Sequence, residues 1–344
     1  MNKMYIQINE SHEKRQRYQM LTVFKVICAL CVVYIHAYCG KSFFGNMFYT
    51  CFARQAVPFF FVTSGFLLGE KIQSDGFNRD YIIKYIRNIL VVYGVWSALC
   101  LPHIISIYIE KNAGKSIIYT LFTIVRRLLF TGNSVYWYLL VLGESVLIIA
   151  VLFTYKKHTI FYWIVIPFIL LGVVYEYQKN VIGILGPINK IIYYIFGSND
   201  NVIMRGLPYC SLGFIISRNK EKCSFKSPKI FWLAYGGECI ISMVLYYMVC
   251  PYDVGIMAPF QAVTLLLISL QYRDRVMNLI VEEKLRNISS VIYLVHIVFI
   301  SFFPQFIIVK WGACYLLTIV CSLVLWFALE KTHNKFLKKI FLMS

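Results

Sequence analysis

Long runs of apolar residues recur along the whole 344-residue chain, separated by short polar segments. Each run approaches the ~20 residues that an α-helix needs to cross the hydrocarbon core of a bilayer. The pattern therefore predicts an all-α polytopic membrane protein with about ten transmembrane helices. The predicted spans are residues 20–38, 48–69, 82–107, 135–155, 159–175, 202–217, 229–249, 255–271, 287–304 and 311–329.

Two segments between these spans are apolar but atypical of a span. Residues 115–131 carry Arg126 and Arg127 in an amphipathic pattern, and residues 181–197 contain Gly183, Gly186 and Pro187. Such segments either lie in the membrane interface or enter the membrane and return. The number of spans rises if one of them crosses.

The basic residues orient the predicted helices. Of 34 Lys and Arg residues, 23 fall on the side that holds both termini and 10 fall on the other side. Because Lys and Arg are enriched in cytoplasmic loops, both termini are predicted to be cytoplasmic. The chain then divides into an N-terminal tail (1–19), a transmembrane domain (20–330) and a basic C-terminal tail (331–344).

Composition narrows the class of protein further. The chain is 59% hydrophobic and 15% charged, with a formal net charge of +18. The positive charge lies in short loops, with no basic domain clear of the membrane, so we expect contact with anionic lipid and no binding of nucleic acid. Most of the eleven cysteines fall within apolar runs, as small packing residues do. Cys39 and Cys51 flank a short loop, and the sequence leaves open whether they pair.

The first span contains the stretch KVICALCVVYIH, residues 25 to 36. Eleven residues turn an α-helix just over three times, so Lys25 and His36 share one face about 16 Å apart. A lysine near a helix end can also extend its amine to the interface. The shared face, with a histidine well inside the span, favours a site within the helix bundle.

The third span begins with Lys84 and Arg87, three residues apart and at the membrane level of Lys25. Cations at this depth bind either lipid headgroups or a phosphorylated cofactor.

Further ionisable residues occur in mid-span, where they usually face a cavity or a partner. Glu144 follows an aromatic cluster, Glu238 lies in the seventh span, and His296 lies one turn after Tyr293. An interhelical hydrogen bond is the simpler explanation for each.

Five stretches resemble, in family order, the acyltransferase-3 family of integral membrane O-acyltransferases. YQMLTVFKVICALCVVYIHAY is similar to the first-helix signature, in which a basic residue precedes a histidine. VPFFFVTSGFLLGEKI, with Ser64, is similar to the second-helix segment. IIKYIRNIL resembles the basic pair of the third helix, although Lys84 stands where the family usually has arginine. VYWYLLVL and SSVIYLVH resemble the fourth-helix and late segments.

The resemblance implies a bacterial plasma-membrane enzyme that moves an acyl group, most often acetyl, from cytoplasmic acyl-coenzyme A to a hydroxyl of an extracytoplasmic glycan. Some family members carry an additional esterase-like or racemase domain, and we expect neither here. Acetyl-coenzyme A is the expected donor, and no metal is expected.

The resemblance and the chemistry of the residues together suggest roles for them. His36 is the expected general base, oriented by Glu144, because a neutral histidine can take the proton of a hydroxyl as it attacks the thioester. The donor phosphates are expected on three cations, and four other residues are candidates. The cations are Lys25, Lys84 and Arg87, and the other candidates are Ser64, Glu238, Tyr293 and His296.

The sequence leaves two matters open. A transporter or exporter of glycan precursors or small molecules would use intramembrane charges equally well, although no inverted repeat is visible. The acceptor is a capsular polysaccharide, an exopolysaccharide, a teichoic acid, a lipopolysaccharide or a secondary metabolite, and the acyl group is acetyl or succinyl.

Overall fold

The structure is a computed structural model. The described residues are 18–39, 42–132, 134–155, 159–160, 163, 191, 194–196, 200–223, 227–248, 257–272, 277–306 and 311–342. They form α-helices joined by short turns, and they contain no strand. The helices are α1 (Gln19–Ala37), α2 (Phe43–Cys51), α3 (Ala56–Asp75), α4 (Arg79–Leu99), α5 (Leu101–Lys111), α6 (Ile117–Phe130), α7 (Trp137–Thr154), α8 (Leu207–Arg218), α9 (Lys229–Met248), α10 (Ala258–Gln271), α11 (Leu279–Phe306), α12 (Trp311–Lys331) and α13 (Lys335–Leu342).

Seven segments of the described chain are long and apolar enough to cross a membrane. They are Gln19–Ala37, Phe43–Asp75, Arg79–Leu99, Trp137–Thr154, Lys229–Met248, Leu279–Phe302 and Trp311–Lys331. Large apolar side chains such as Leu233, Tyr247 and Leu316 are exposed on these helices, as a lipid-facing surface requires. The prediction of an all-α polytopic membrane protein is thus confirmed.

The predicted number of ten spans is not reached within these residues. Two predicted spans correspond to the short helices α8 and α10, and most of 159–175 lies outside the described residues. Segment 115–131 forms α6, whose 14 residues extend only about 21 Å and are too short to cross. Most of segment 181–197 also lies outside the described residues.

Side-chain caps begin several of these helices. Ser42, Asn78 and Ser116 each accept a hydrogen bond from a backbone N–H in the first turn of α2, α4 and α6. Gly76 ends α3 with a φ of 76°, a conformation that other residues rarely adopt. These local signals set where α3 ends and where α2, α4 and α6 begin.

Helices α3 and α8 approach each other closely because glycines line their contact. A side chain at Gly65 of α3 would collide with the backbone of Cys210, and one at Gly213 of α8 would collide with the backbone of Val62. Small residues at helix contacts let backbones approach within a membrane. Helix α1 packs against α3, α10, α11 and α12, and so lies inside the bundle.

Polar contacts bring one end of several helices together. Glu70, near the end of α3, accepts a hydrogen bond from Tyr18 and pairs with Lys220 beyond α8, both at 2.7 Å. Gln19 of α1 binds the backbone of Met277 before α11. The start of α1, the end of α3 and the turn after α8 therefore share one side, as the topology predicts.

Which side faces the cytoplasm stays a prediction, and two native cysteines test it. Cys39 is exposed just after α1, and Cys223 is partly exposed in the turn after α8, at the opposite end of the bundle. An impermeant maleimide should label Cys39 in intact cells, whereas Cys223 should react only after permeabilisation. Mass spectrometry of the labelled peptides measures both, and labelling of Cys223 in intact cells would overturn the topology.

Cys39, just after α1, and Cys51, the last residue of α2, are free thiols in this structure. Cys39 is exposed and Cys51 is buried, so the pairing that the sequence left open is not present here.

The C-terminal segment packs onto the bundle. Residues 335–342 form α13, in which Ile340 is buried and accepts a 3.4 Å hydrogen bond from Trp96 of α4. The ring of Phe341 packs edge-on against Trp96, with ring centroids 5.1 Å apart. The basic segment predicted as a cytoplasmic tail is therefore held against α4 and α11 rather than extending free.

Candidate active site

Two cavities lie near opposite ends of α1. The Lys25 cavity, of about 470 Å³, is lined by residues of α1, α3, α4, α7, α11 and α13. The His36 cavity, of about 280 Å³, is lined by residues of α1, α2, α3, α7, α8 and α10 and by the turns that precede α3 and α8. The sequence places Lys25 and His36 on one helix face, but in the structure each lines a different cavity.

Three cations border the Lys25 cavity. Lys25 of α1 is half-buried, Arg286 of α11 is exposed at the edge, and Lys339 reaches it from α13. Deeper in the cavity, the hydroxyls of Ser64 and Tyr138 lie 3.3 Å apart. The cavity thus combines a positive rim with a hydroxyl-bearing interior.

Lys84 and Arg87 do not line this cavity. The cavity face of α4 carries Tyr81, Tyr85 and Asn88. By helical geometry Lys84 flanks that face, and Arg87 lies about 140° around the helix from it. Both side chains are exposed, so the structure brings Lys25, but not this pair, to the cavity.

The His36 cavity joins the histidine with charged residues distant in sequence. His36 is exposed to the cavity, which Arg54, Arg205 and Asp200 also line. Arg205 Nε lies 3.7 Å from Asp200 Oδ1. The remaining walls combine small aliphatic residues with four aromatic side chains, from Tyr49, Trp137, Tyr209 and Phe61. Flat aromatic walls with polar groups between them suit a sugar ring.

A layer one residue thick separates the two cavities, and we call it the aromatic partition. Phe60 and Tyr138 line the Lys25 cavity, whereas their neighbours Phe61 and Trp137 line the His36 cavity. The rings of Phe61 and Tyr138 are 4.6 Å apart, and Tyr138 lies 5.6 Å from Tyr293 of α11. The partition therefore spans α3, α7 and α11.

Tyr293 and its neighbour Tyr136 hold α11 against the turn before α7. Tyr293 donates a 2.7 Å hydrogen bond to the carbonyl of Val135, and Tyr136 donates a 2.9 Å bond to the carbonyl of Leu294. Tyr293, a candidate from the sequence, thus has a clear positioning role at the partition.

His296 lies one turn beyond Tyr293 and is completely buried. Its Nδ1 is 2.6 Å from the carbonyl oxygen of Tyr293. Since a carbonyl only accepts, Nδ1 carries the proton and Nε2 has a lone pair. Nε2 has no hydrogen-bond partner among the described residues, and the ring centroids of His296 and His36 are 5.3 Å apart. The two histidines therefore form a pair at the edge of the partition.

The two mid-span carboxylates lie elsewhere. Glu238 of α9 accepts a 2.7 Å hydrogen bond from Thr264 of α10, the interhelical bond that the sequence offered as the simpler explanation. Glu144 of α7 lies near Tyr93 of α4 and lines neither cavity. The structure does not bring Glu144 to His36.

Sequence reasoning missed Arg54, Arg205, Arg286 and Lys339, which it counted only as loop or tail charges. One signal was available for Arg286, because Ser289, Ser290 and Tyr293 follow it at helical spacing and form a polar stripe with it. No local signal marks Arg54 or Arg205, because the residues that complete their site lie far away in the chain.

Comparison with known proteins adds three findings. A family model described as an acyltransferase domain matches residues 19–331. A 130-residue stretch is 33% identical to an amino-acid racemase of Enterococcus faecalis, covering 37% of this chain and 17% of that protein. No solved structure matches the chain.

Proposed function

The chain belongs to the acyltransferase-3 family of membrane acyltransferases, and we propose that it transfers an acyl group, most simply acetyl, from cytoplasmic acyl-coenzyme A to a hydroxyl of a bacterial surface glycan. The observation that carries this proposal is the pair of cavities on either side of the aromatic partition. One has a cationic rim suited to the phosphates of a donor, and the other holds a histidine among aromatic walls suited to a sugar.

The charge and the shape of the Lys25 cavity support its assignment as the donor site. Phosphate oxygens bind lysine and arginine through charge-assisted hydrogen bonds, which Lys25, Arg286 and Lys339 offer together. On α4 the cavity extends from Tyr81 to Val92, a rise of about 16 Å. This depth suits the long pantetheine arm of coenzyme A, with its thioester directed at the partition.

The acceptor side supplies the base. In the proposed step, His36 takes the proton of the acceptor hydroxyl as its oxygen attacks the thioester carbonyl. The new oxygen–acyl bond forms, the carbon–sulfur bond breaks, and the imidazolium returns the proton to the leaving thiolate. The products are an ester and free coenzyme A thiol.

His296 acts in this proposal as a positioning residue. Its Nδ1–H donates a hydrogen bond to the carbonyl of Tyr293, so its Nε2 can only accept a hydrogen bond. A ring N–H of His36 is the neighbouring donor, and a modest rotation of either ring would join them. This bond would hold the His36 imidazole in one orientation, which is the role that Glu144 was expected to fill.

The aromatic partition sets a requirement on the reaction. Thioester and hydroxyl must meet, yet Phe60, Phe61 and Tyr138 separate the cavities in this structure. We infer that these side chains move when both substrates are bound. A closed partition at other times would keep water away from the thioester.

The function is tested with purified protein in lipid nanodiscs and acetyl-coenzyme A. Thiol release should require an acceptor glycan, and mass spectrometry should find the glycan heavier by one acetyl group. Mass spectrometry of the host's surface glycan, with and without the gene, identifies the acceptor. Movement of glycan across the bilayer without thiol release would favour the transporter instead.

A further inference from the structure

We propose that the acceptor carries an oxyanion, either a carboxylate or a phosphate, close to the hydroxyl that is acylated, and that Arg54 and Arg205 bind it. This inference rests on the proposed function and names the chemical class of its acceptor. It starts from two guanidinium groups that line the same cavity as His36 although they are about 150 residues apart in the chain.

Arg205 is directed into the cavity by an unusual turn. Residues Val202–Gly206 form a π-helical turn before α8, and such turns occur frequently at functional sites. The side chain of Asn201 accepts hydrogen bonds from the backbone N–H groups of Ile203 and Met204 at 2.9 and 3.0 Å. Gly206 packs against α7 so closely that a side chain there would collide with Ser145. The turn, and with it the start of the Arg205 side chain, is thus well anchored.

Arg54 is held in a comparable way on the opposite wall. It lies in the 3₁₀ turn Ala53–Gln55, whose other two residues are buried. Gln55 donates a 2.7 Å hydrogen bond to Tyr235, and Gln261 donates a 2.8 Å bond to the carbonyl of Cys51 just before the turn. The Arg54 guanidinium lies over the ring of Tyr49, 5.5 Å from its centroid. Both arginines therefore project from fixed turns rather than from loose loops.

The charge of the described lining favours an anion. Two guanidinium groups face one carboxylate, Asp200, which contacts Arg205 at the long distance of 3.7 Å and is about half exposed. Guanidinium binds carboxylate and phosphate through paired hydrogen bonds and is the usual residue for recognising them. Two guanidinium groups on the walls of one cavity therefore suit an acceptor that carries one of these anions.

The size of the cavity places the anion near the reacting hydroxyl. A volume of about 280 Å³ lies just below the usual range of about 300–1,000 Å³ for ligand pockets, so it holds about one sugar unit. His36 and the two arginines must then contact the same unit or its immediate neighbour. Uronic acids and sugars or polyols substituted with phosphate have this arrangement.

Binding can be tested without turnover. Protein in nanodiscs of zwitterionic lipid is titrated with glucuronate and glucose, and with glycerol 3-phosphate and glycerol, while thermal unfolding is followed. We expect glucuronate to bind at least about tenfold more tightly than glucose, or glycerol 3-phosphate to bind at least about tenfold more tightly than glycerol. One charge-assisted hydrogen bond predicts a difference of this size. Arg54→Gln and Arg205→Gln should each remove about tenfold of that affinity, and Arg→Lys variants should lose less. Arg127→Gln is the control, because Arg127 lies on α6, outside both cavities.

The results separate this inference from the proposed function. Equal binding of both anions and their neutral partners, or a preference that survives both glutamine substitutions, overturns the inference even if thiol release occurs. Arginine-dependent anion binding without thiol release for any acceptor supports the anion site and counts against the acyltransferase assignment. If anionic lipid in the nanodisc abolishes the preference of the wild-type protein, lipid phosphate occupies the arginines, and their assignment to the acceptor is overturned.

Discussion

His36→Ala is expected to lower the rate of acyl transfer by about 10²–10⁴-fold, the usual contribution of a general base. The side chain is exposed to the His36 cavity, so its removal leaves no core void, and expression and thermal unfolding should stay near those of the wild-type protein. Donor binding should also survive, because Lys25 lies about 16 Å away along α1 and on the other side of the aromatic partition. Acceptor-dependent thiol release measures the rate, and titration with acetyl-coenzyme A measures donor binding.

Two variants of His296 are the matched controls for this experiment. His296→Gln places an amide oxygen near the position of Nε2 and should lose less activity than His296→Leu, which removes the acceptor. The loss should fall on kcat, with the KM for the donor unchanged, because His296 lines neither cavity. We expect each loss to be smaller than that of His36→Ala. Near-normal transfer by His36→Ala together with an inactive His296→Gln would show that the wrong histidine had been assigned as the base.

Lys25→Met is expected to raise the KM for acyl-coenzyme A by about tenfold or more. Methionine keeps the apolar stem of the lysine but removes its charge, and the loss of a charge-assisted contact costs about 1.5–3 kcal/mol. Lys25 is half-buried at the rim of the Lys25 cavity, where salt screens its charge less than at an open surface. Lys25→Arg, which keeps the positive charge, should be tolerated. Steady-state kinetics with varied donor and saturating acceptor measures the change.

Variants of Arg286 and Arg87 test which cations contact the donor. Arg286→Gln should raise the donor KM less than Lys25→Met does, because Arg286 is more exposed. Arg87→Ala should have little effect if the cavity holds the phosphates, since Arg87 lies on another face of α4. A tenfold rise in Arg87→Ala, with no change in Lys25→Met or Arg286→Gln, would restore Lys84 and Arg87 as the donor site and remove the cavity from it.

The similarity to the Enterococcus faecalis racemase gives no reason to expect racemase activity in this chain. The stretch shared with the Enterococcus faecalis racemase covers 17% of that protein. The family match instead covers residues 19–331, which include both cavities except for Lys339. Helix α13, which contributes Lys339, lies beyond the matched residues.

The sequence by itself determined the class of fold and the family. Apolar runs long enough to cross a bilayer form α-helices in lipid, because a helix satisfies its own backbone hydrogen bonds. It also identified Lys25 and His36 as residues on one helix face, since helical geometry makes positions along a single segment predictable. For Glu238 the sequence offered an interhelical hydrogen bond as the simpler explanation, and the structure contains such a bond, with Thr264.

Only the tertiary structure decided what these residues face. The aromatic partition contains two pairs of residues that are adjacent in sequence, Phe60 with Phe61 and Trp137 with Tyr138. One member of each pair lines the Lys25 cavity and the other lines the His36 cavity. The His36 cavity gathers Arg54 and Arg205 from distant turns, and Glu144 lies away from it although its residue type suited the role. A helical repeat fixes where a side chain lies on its own helix, but which neighbouring helix it meets depends on packing between segments far apart in the chain. The partners of His36 therefore follow from the fold rather than from any local motif.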